Sequence, residues 1–332
     1  MNTQQIVLTS RPVGLPTLDN FRFENIELPD LQNGEVLLDG LYYSVDPYMR
    51  GRMNDAKSYV PPFQIDQPIS GTVLAKVVKS KSDDLKQGDF ISGNLPWRVQ
   101  TIAPSKGLSK IDASLAPLIY HLDVLGMTGL TAYFGLMEIG KPKSGETVVI
   151  SGAAGAVGLV VGQIAKIQGC RVVGIAGSDE KIQLLKDKYG FDDAINYRTA
   201  TNLKMAISTS CPNGVDIYYD NVGGEISDAV ISNINFHARI PLCGQISLYN
   251  STEKPVGPRL QPMLLTRSVL MQGFIVSNFK SQFPDAISHL AKWVKEGKIT
   301  SAQTIVHGFN ELPTALLGLF KGANIGKMIV EA

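Results

Sequence analysis

Three regularly spaced glycines are the residues of this sequence whose types and spacing most directly imply chemistry. Gly152, Gly155 and Gly158 form the pattern G-x-x-G-x-x-G after the apolar run Glu146–Ser151, which is typical of a strand buried on both faces. The first glycine allows a tight turn, the second lets a pyrophosphate approach the backbone, and the third lets the following helix pack closely on the strand. Free N–H groups at the start of that helix favour an anion. The pattern predicts a dinucleotide site; the alternative is a turn whose glycines serve packing only.

The end of the next strand indicates which dinucleotide is bound. NAD sites usually carry an acid there, about 20 residues after the glycines, that binds the ribose hydroxyls. This chain has Gly177-Ser178 instead, and the two acids that follow lie inside the first helical turn, where they favour the helix dipole. Lys181 opposes that dipole, which a nearby phosphate would explain, although a solvated surface lysine is the alternative. We therefore predict NADPH, with its 2′-phosphate near Ser178 and Lys181, and adenine or a second phosphate contact near Tyr197-Arg198.

Residues that bind metals or act as nucleophiles are few and scattered. The chain has three cysteines, none of them in the first 120 residues, and four histidines without metal-ligand spacing. The motifs HExxH, CxxC and GxSxG do not occur. We therefore predict no metal site. Cys243, at the end of a predicted strand near the expected cofactor edge, is a candidate cofactor contact, and its alternative role is that of a small packing residue.

Hydride transfer without a metal favours one kind of reaction. Alcohol oxidation would lack a Lewis acid to acidify the hydroxyl. Reduction of an activated C=C bond only needs hydride at the β carbon, a hydrogen-bond donor for the enolate oxygen, and a proton for the α carbon. We predict a small-molecule substrate, an α,β-unsaturated ketone or aldehyde. A quinone reductase and a noncatalytic NADPH-binding protein stay open as alternatives.

The elements that must position these residues follow two patterns. Residues 1–122 read as short strands separated by Gly, Pro and Asp clusters, as in a barrel or sandwich. Strands and helices alternate from residue 123, which predicts a parallel doubly wound sheet. The last segment, 299–332, ends in a strand that could return to the first domain, so we predict domains 1–122 plus 299–332 and 123–298. The predicted strands are Glu35–Ser44, Gly71–Lys79, Asp89–Ser92, Glu146–Ser151, Arg171–Ala176, Asp193–Asn196, Val215–Asp220, Arg239–Gly244, Leu270–Val276, Gln303–Phe309 and Ile325–Glu331, and the main predicted helices are Ala156–Gln168, Ser178–Tyr189 and Phe283–Glu296.

Composition agrees with this division and narrows the class of protein. A chain of 332 residues suggests about two domains. Its 31 basic and 30 acidic residues give a net charge of +1, which argues against a nucleic-acid-binding surface. The N-terminus lacks the apolar region of a signal peptide, and no apolar run approaches the roughly 20 residues of a membrane span. We expect a cytoplasmic protein without a membrane or nucleic-acid partner.

Further motifs resemble the medium-chain dehydrogenase/reductase superfamily along essentially the whole chain. Within it the chain resembles the zinc-independent prostaglandin reductase / leukotriene hydroxydehydrogenase group, above all its bacterial NADPH-dependent curcumin reductase branch. Together the motifs are far more specific than any one of them. They are Val45–Gly51, Gly126–Tyr133, Gly152–Gly158, Ala176–Lys181, Asp220–Gly224, Cys243–Ser247 with Tyr249-Asn250, and Gly322–Lys327.

The resemblance implies an α/β protein with a GroES-like β-barrel substrate domain, a Rossmann domain, and an active site between the two. It also implies a homodimer joined through the edge of the Rossmann sheet. Met127 and Thr128 match a loop near the nicotinamide, and Ser178, Lys181 and Tyr197 match the 2′-phosphate region. The further cofactor-binding candidates are Gly152, Ala153, Gly155, Ala156, Val157, Gly158, Gly177, Asn221, Cys243, Gly244, Phe274, Val276, Asn324 and Gly326.

The resemblance also implies two catalytic candidates, Tyr249 and Tyr48, at positions where substrate-lining tyrosines occur. Prostaglandin-reducing members carry a tyrosine, proposed to act in catalysis, near the position where this chain has Thr266. That departure argues against assuming a prostaglandin substrate and leaves the proton donor to Tyr249 or Tyr48. The alternative for each is a packed aromatic ring whose hydroxyl is satisfied by hydrogen bonding.

Overall fold

The structure, a computed structural model, describes all 332 residues. It divides into two compact units, of which the first contains Met1–Leu122, Gln303–Asn324 and Met328–Ala332. The second contains Asp123–Ala302 and the short segment Ile325–Lys327. No helix has both the length and the apolar character needed to cross a membrane.

Fifteen strands and nine α-helices make up the chain. The strands are β1 (Asn2–Leu8), β2 (Phe21–Glu27), β3 (Glu35–Ser44), β4 (Ser70–Ser80), β5 (Phe90–Pro96), β6 (Gln100–Pro104), β7 (Ser109–Lys110), β8 (Thr147–Ser151), β9 (Arg171–Ala176), β10 (Asp193–Asn196), β11 (Val215–Tyr219), β12 (Ile234–Leu242), β13 (Leu270–Gly273), β14 (Gln303–His307) and β15 (Lys327–Glu331). The α-helices are α1 (Met49–Arg52), α2 (Met127–Phe134), α3 (Ala156–Ile167), α4 (Asp179–Asp187), α5 (Leu203–Ser210), α6 (Gly224–Ile231), α7 (Gln261–Thr266), α8 (Phe283–Lys295) and α9 (Leu312–Phe320).

The first unit is built on a sheet of order β14-β15-β3-β4-β5-β7, in which β6 also pairs with β3. Strand β3 pairs antiparallel with β4, β6 and β15, and a separate antiparallel pair joins β1 to β2. Trp97, Tyr43 and Met49 are fully buried in its core. These pairings describe a path that ends at β14 and β7. The closed barrel therefore stays a prediction.

The second unit contains the predicted parallel sheet. Its order is β10-β9-β8-β11-β12-β13, and every neighbouring pair is parallel. The chain builds outward from β8 to β10, then returns to the other side of β8 with β11. Strand β8 is buried at every residue, as its continuous apolar run predicts. The change of direction puts the topological switch point beyond the carboxyl ends of β8 and β11, where ligands of doubly wound sheets bind.

Several strands and helices end at other residues than predicted, because glycines and side-chain hydrogen bonds interrupt the regular pattern. Strand β13 stops at Gly273, and a 3₁₀ turn, Val276–Gln282, replaces the predicted strand end. The Asn278 side chain accepts a hydrogen bond from the N–H of Ile275 at 2.9 Å, which starts that turn. Helix α2 was not predicted, since it contains glycine and threonine, which have low helix propensity.

Candidate functional site

The candidate site begins at the switch point, where the glycine turn follows β8. Gly152 has φ +60°, a conformation that favours glycine, and Gly155 starts α3 without a side-chain cap. A Cβ on Gly158 would lie 2.4 Å from the carbonyl oxygen of Gly152 and 2.7 Å from the Cα of Ala153. Because these neighbours are backbone atoms, only glycine lets α3 pack this closely on the turn. The first N–H groups of a helix have no partner inside that helix, so the start of α3 beside this turn suits a pyrophosphate.

The neighbouring residues of the turn are held by the sheet and by a distant part of the chain. Ala153 is buried, and its N–H donates to the carbonyl of Ile175 at 3.0 Å, while Ala156 and Val157 are half-buried. The N–H of Gly326 donates to the carbonyl of Ala154 at 2.8 Å, so the segment 325–327 lies against the glycine turn. Gly326 has φ +65°, and a Cβ there would come 1.9 Å from the carbonyl oxygen of Ala302.

A second cluster lies at the end of β9 and the start of α4. The Ser178 hydroxyl caps α4 by accepting a hydrogen bond from the N–H of Lys181 at 3.4 Å. The Tyr197 ring is so close to Gly177 that a Cβ there would lie 3.0 Å from its Cε1. The guanidinium of Arg198 donates to the Tyr197 hydroxyl at 3.4 Å.

The charge in this second cluster suits an anion. Burial lowers the pKa of Lys181, and the charge of Arg198 lowers it further. Two cations close enough to disfavour each other are stabilised when an anion binds beside them. The positive charge of Arg198 thus supports an anion site in this cluster. In the sequence, the position of Arg198 directly after Tyr197 indicated that it could belong to the site.

The start of α2, which carries Met127 and Thr128, is held tightly by the backbone that precedes it. The Thr128 hydroxyl donates to the backbone carbonyl of Asp123 at 3.0 Å, and it lies 3.2 Å from the carboxylate of the same residue. A Cβ on Gly129 would lie 1.9 Å from the carbonyl oxygen of Val124, so the start of α2 packs directly on the preceding backbone. The hydroxyl of Thr128 therefore bonds Asp123, just before the helix. Met127 is half-buried at the start of the helix.

The carboxyl end of β11 brings Asn221 next to the glycine turn. The Asn221 N–H donates to the Ser151 hydroxyl at 2.9 Å, and its side-chain amide donates to the Ser151 carbonyl at 2.8 Å. A Cβ on Gly244 would lie 3.1 Å from the carbonyl oxygen of Asn221, so the segment after β12 also passes close by. Ser151 was not predicted as a site residue; its signal was a polar residue at the end of an apolar strand.

Tyr249 and Cys243 lie on this same segment. The Tyr249 hydroxyl accepts a hydrogen bond from the N–H of Gln245 at 3.3 Å, and burial raises the pKa of the phenol. Burial raises the pKa of the Cys243 thiol to about 12, so the thiol stays protonated at neutral pH. Phe274 is buried, with its ring edge-on to Tyr219 at 6.5 Å, and Val276 is half-buried. The Cys243 thiol is therefore a neutral group and not a nucleophile at neutral pH.

Tyr48 and Asn324 belong to the first unit, whereas the other candidates belong to the second. Tyr48 is half-buried beside the core of the first unit, and burial raises the pKa of its phenol. The Arg52 guanidinium hydrogen-bonds the Tyr48 hydroxyl and lies 4.0 Å above the ring of Phe63. Thr266, at the position of the family tyrosine, donates its hydroxyl to the Pro262 carbonyl at 2.9 Å within α7.

A two-unit chain with a glycine turn at the switch point of a parallel sheet has the architecture of dinucleotide-dependent oxidoreductases. Comparison with known proteins agrees: residues 4–111 match the family described as the N-terminal domain of oxidoreductase, and residues 156–292 match the family described as zinc-binding dehydrogenase. The chain belongs to the medium-chain dehydrogenase/reductase family, and the resemblance found in the sequence is confirmed.

Three relatives illustrate this membership. The chain is 42% identical to the NADPH-dependent curcumin reductase of Escherichia coli, over 98% of this chain and 95% of that protein. It is 41% identical to the NADP(+)-dependent 2-alkenal reductase of Nicotiana tabacum, over 99% and 97%. The crystal structure of CurA from Vibrio vulnificus in complex with NADPH matches with a TM-score of 0.95 and 42% identity, over 99% of both chains.

The zinc in one family description can be tested against the side chains of this chain. No group of three or more His, Cys, Asp or Glu side chains is placed so that it could hold a metal ion. Cys170 and Cys211 are buried, and burial raises the pKa of their thiols to about 11 and about 12, which disfavours the thiolate that zinc requires. The residues present do not fit a zinc site.

Proposed function

We propose that this protein reduces the C=C bond of α,β-unsaturated ketones and aldehydes with NADPH. The relatives that carry NADPH or reduce 2-alkenals support the cofactor and the reaction. The single observation that carries the proposal is the pair of anion-binding features on one sheet. The glycine turn of β8 suits a pyrophosphate, and Ser178, Lys181 and Tyr197 at the end of β9 suit a 2′-phosphate.

The residues that would hold the cofactor follow from this arrangement. N–H groups at the start of α3 would bind the pyrophosphate, with Gly152, Gly155 and Gly158 keeping the backbone accessible. We assign the 2′-phosphate to the cluster around Lys181. The remaining cofactor contacts that we propose are Met127, Thr128, Ala153, Ala156, Val157, Gly177, Asn221, Cys243, Gly244, Phe274, Val276, Asn324 and Gly326.

Bound NADPH would supply the hydride for the β carbon. The chain's own contribution is to orient the enone, to stabilise negative charge on its carbonyl oxygen and to provide a proton. We assign the proton to Tyr249, because its hydroxyl accepts from the Gln245 N–H and so has its own proton free to donate elsewhere. Its raised pKa keeps the phenol protonated at neutral pH. Tyr48 is the second candidate, and its bond from Arg52 leaves its proton available in the same way.

The decisive experiment follows NADPH absorbance with an enone, an enal, a quinone and an alcohol with NADP⁺, and identifies the products. Saturated ketone from the enone supports the proposal. Turnover of the quinone alone would instead establish a quinone reductase, and tight NADPH binding without turnover a binding protein. Tyr249→Phe should lower kcat on the enone by about 100-fold or more, a typical contribution of general acid catalysis, with NADPH affinity unchanged.

Matched variants separate a catalytic hydroxyl from a structural one. Tyr133→Phe removes a phenol from the same unit that hydrogen-bonds His289 at 2.7 Å, and it should leave kcat unchanged. Tyr48→Phe is measured in parallel. Unchanged kinetics for Tyr249→Phe with a low kcat for Tyr48→Phe would transfer the role to Tyr48, and two unaffected variants would assign the proton to water.

The finer features of the assembly belong to the same proposal. We propose that the sheet of the first unit closes into a GroES-like barrel and that the protein acts in the cytoplasm as a homodimer. Strand β13 ends the sheet of the second unit, and its Leu270 is 48% exposed, which supports pairing through this edge. Light scattering after size exclusion tests the dimer, and a charged substitution of Leu270 should yield a monomer.

A further inference from the structure

Asp220, directly after β11, has no role among the catalytic and cofactor-binding residues proposed above. It is completely buried, and none of the ion pairs in the structure includes it. A buried charge is costly unless its oxygens are hydrogen-bonded. Here six neutral donors surround it: Oδ1 accepts from Ser151 Oγ (3.0 Å), Tyr218 OH (2.8 Å), Val222 N (3.0 Å) and Gly223 N (2.9 Å), and Oδ2 accepts from Ser227 Oγ (3.0 Å) and Gln245 Nε2 (3.3 Å).

One oxygen of this carboxylate is linked to the glycine turn. Ser151, which donates to Oδ1 of Asp220, is the last residue of β8, immediately before Gly152. The same Ser151 hydroxyl accepts from the N–H of Asn221 at 2.9 Å. Its single proton is therefore committed to Asp220, and one of its two lone pairs accepts from Asn221. The carboxylate thus determines the direction of a hydroxyl that joins the ends of β8 and β11.

The other oxygen is linked to the Tyr249 hydroxyl. Gln245 donates its side-chain amide to Oδ2 of Asp220 and its backbone N–H to the hydroxyl of Tyr249. The Gln245 side chain runs so close to Gly223 that a Cβ there would lie 2.2 Å from its Oε1. The backbone carbonyl of Asp220 also accepts from the N–H of Cys243 at 2.8 Å. The segment that carries Tyr249 is therefore attached to Asp220 by side chain and backbone.

We infer that Asp220 is a positioning residue that aligns the two halves of the candidate site, the glycine turn through Ser151 and the Tyr249 hydroxyl through Gln245. An apolar residue could fill the same space, but it could not direct six donors, since only hydrogen bonds fix orientation. The Tyr249 half of the inference rests on the proposed function. The Ser151 half rests on cofactor binding alone.

The Ser151 half is tested by binding, without turnover. Ser151→Ala removes the link and should raise the Kd for NADPH, measured by calorimetry, by about tenfold, the size expected for a hydrogen bond to a charged group. Ser210→Ala is the matched control, because Ser210 also donates to a carboxylate of the second unit, that of Asp193 at 2.7 Å, and it should bind NADPH like the parent protein. Equal Kd values for the two variants would overturn this half.

The Gln245 half is tested by a double-mutant cycle on enone turnover. Gln245→Met keeps the length of the side chain and removes its bond to Asp220, so kcat should fall about tenfold while the Kd for NADPH stays unchanged. In a Tyr249→Phe background the same substitution should have little further effect, since coupled residues are not additive. Fully additive losses would refute the coupling. A parent protein that does not turn over enones would refute the proposed function instead, and leaves the Ser151 result standing.

Asp220→Asn tests both halves together. The asparagine side chain replaces one carboxylate oxygen by an NH₂ group, which cannot accept the hydrogen bonds that this oxygen accepts. It should raise the Kd for NADPH and lower kcat, whereas Asp216→Asn should do neither. Asp216 lies on the same strand β11 and accepts from Thr147 N at 2.8 Å and Asn235 Nδ2 at 2.8 Å. If Asp220→Asn does not fold, as circular dichroism would reveal, the single-bond variants Ser151→Ala and Gln245→Met decide the question.

Discussion

Replacing Lys181 with alanine tests the choice of cofactor most directly. Lys181 lies in the first turn of α4, one turn from its cap Ser178, where the positive end of the helix disfavours a cation. Its side chain is half-buried, and its pKa is lowered by burial and then by the charge of Arg198. A protein retains a cation in such a place at a cost in free energy, which a bound 2′-phosphate would offset.

The magnitude follows from the bond that the variant removes. A hydrogen bond between a charged donor and a charged acceptor contributes about 1.5–3 kcal/mol, which corresponds to a loss of roughly 10–150-fold in NADPH affinity. NADH has no 2′-phosphate, so its affinity should not change. Calorimetric titration of Lys181→Ala with both cofactors measures the difference. The control is Lys188→Ala, which removes an exposed lysine at the C-terminal end of the same helix.

The same interaction predicts how NADPH affinity depends on pH. Because the pKa of Lys181 is lowered, the ammonium loses its proton below the usual lysine range of about 10.4, and NADPH affinity should start to fall there as the pH rises. On the acid side, affinity should fall near pH 6 as the phosphate becomes monoanionic. NADH affinity should not follow this profile. An equal loss of affinity for NADH and NADPH in Lys181→Ala would refute the assignment of the 2′-phosphate to this cluster.

Two further substitutions test the packing beneath the site. Gly158→Ala forces a Cβ to within 2.4 Å of the Gly152 carbonyl oxygen. It should therefore lower the free energy of unfolding by about 1–3 kcal/mol and weaken NADPH binding. The control in thermal melts is Gly51→Ala, because a Cβ on Gly51 meets nothing within 4 Å. Glu146→Gln should destabilise the protein in urea melts at neutral pH, because Arg239 donates to both carboxylate oxygens of Glu146. Burial raises the pKa of Glu146, but the Arg239 bond and the Lys143 N–H outweigh it and lower the pKa below its usual value. The difference from the parent protein should therefore be complete above the usual carboxyl pKa and disappear as the pH falls through the lowered one; a difference that persists in acid would contradict this.

The second unit was the more predictable part of the fold. Strands β9 and β10 have the bounds that were predicted, and β8 and α3 differ by one residue at one end. Buried parallel strands are continuous apolar runs, and helices in such units end at glycine, so the local signals are strong. In the first unit β1, β2, β6 and β7 were missed. Strand β2 is exposed at four of its seven residues, so burial leaves a weaker pattern in its sequence.

The candidate site divides in the same way between local and long-range causes. The sequence alone determined the glycine turn and the Ser178–Lys181 cap, because each is formed by residues close in the chain whose conformations their own types dictate. Only the tertiary structure revealed that Asp220 accepts from Ser151 and from Gln245, which lie 69 and 25 residues away. A hydrogen bond between distant residues depends on how parallel strands align, and no local pattern encodes that alignment. Short motifs in the sequence therefore determined which residue types could bind the cofactor. The parallel sheet decided which of these residues lie next to one another.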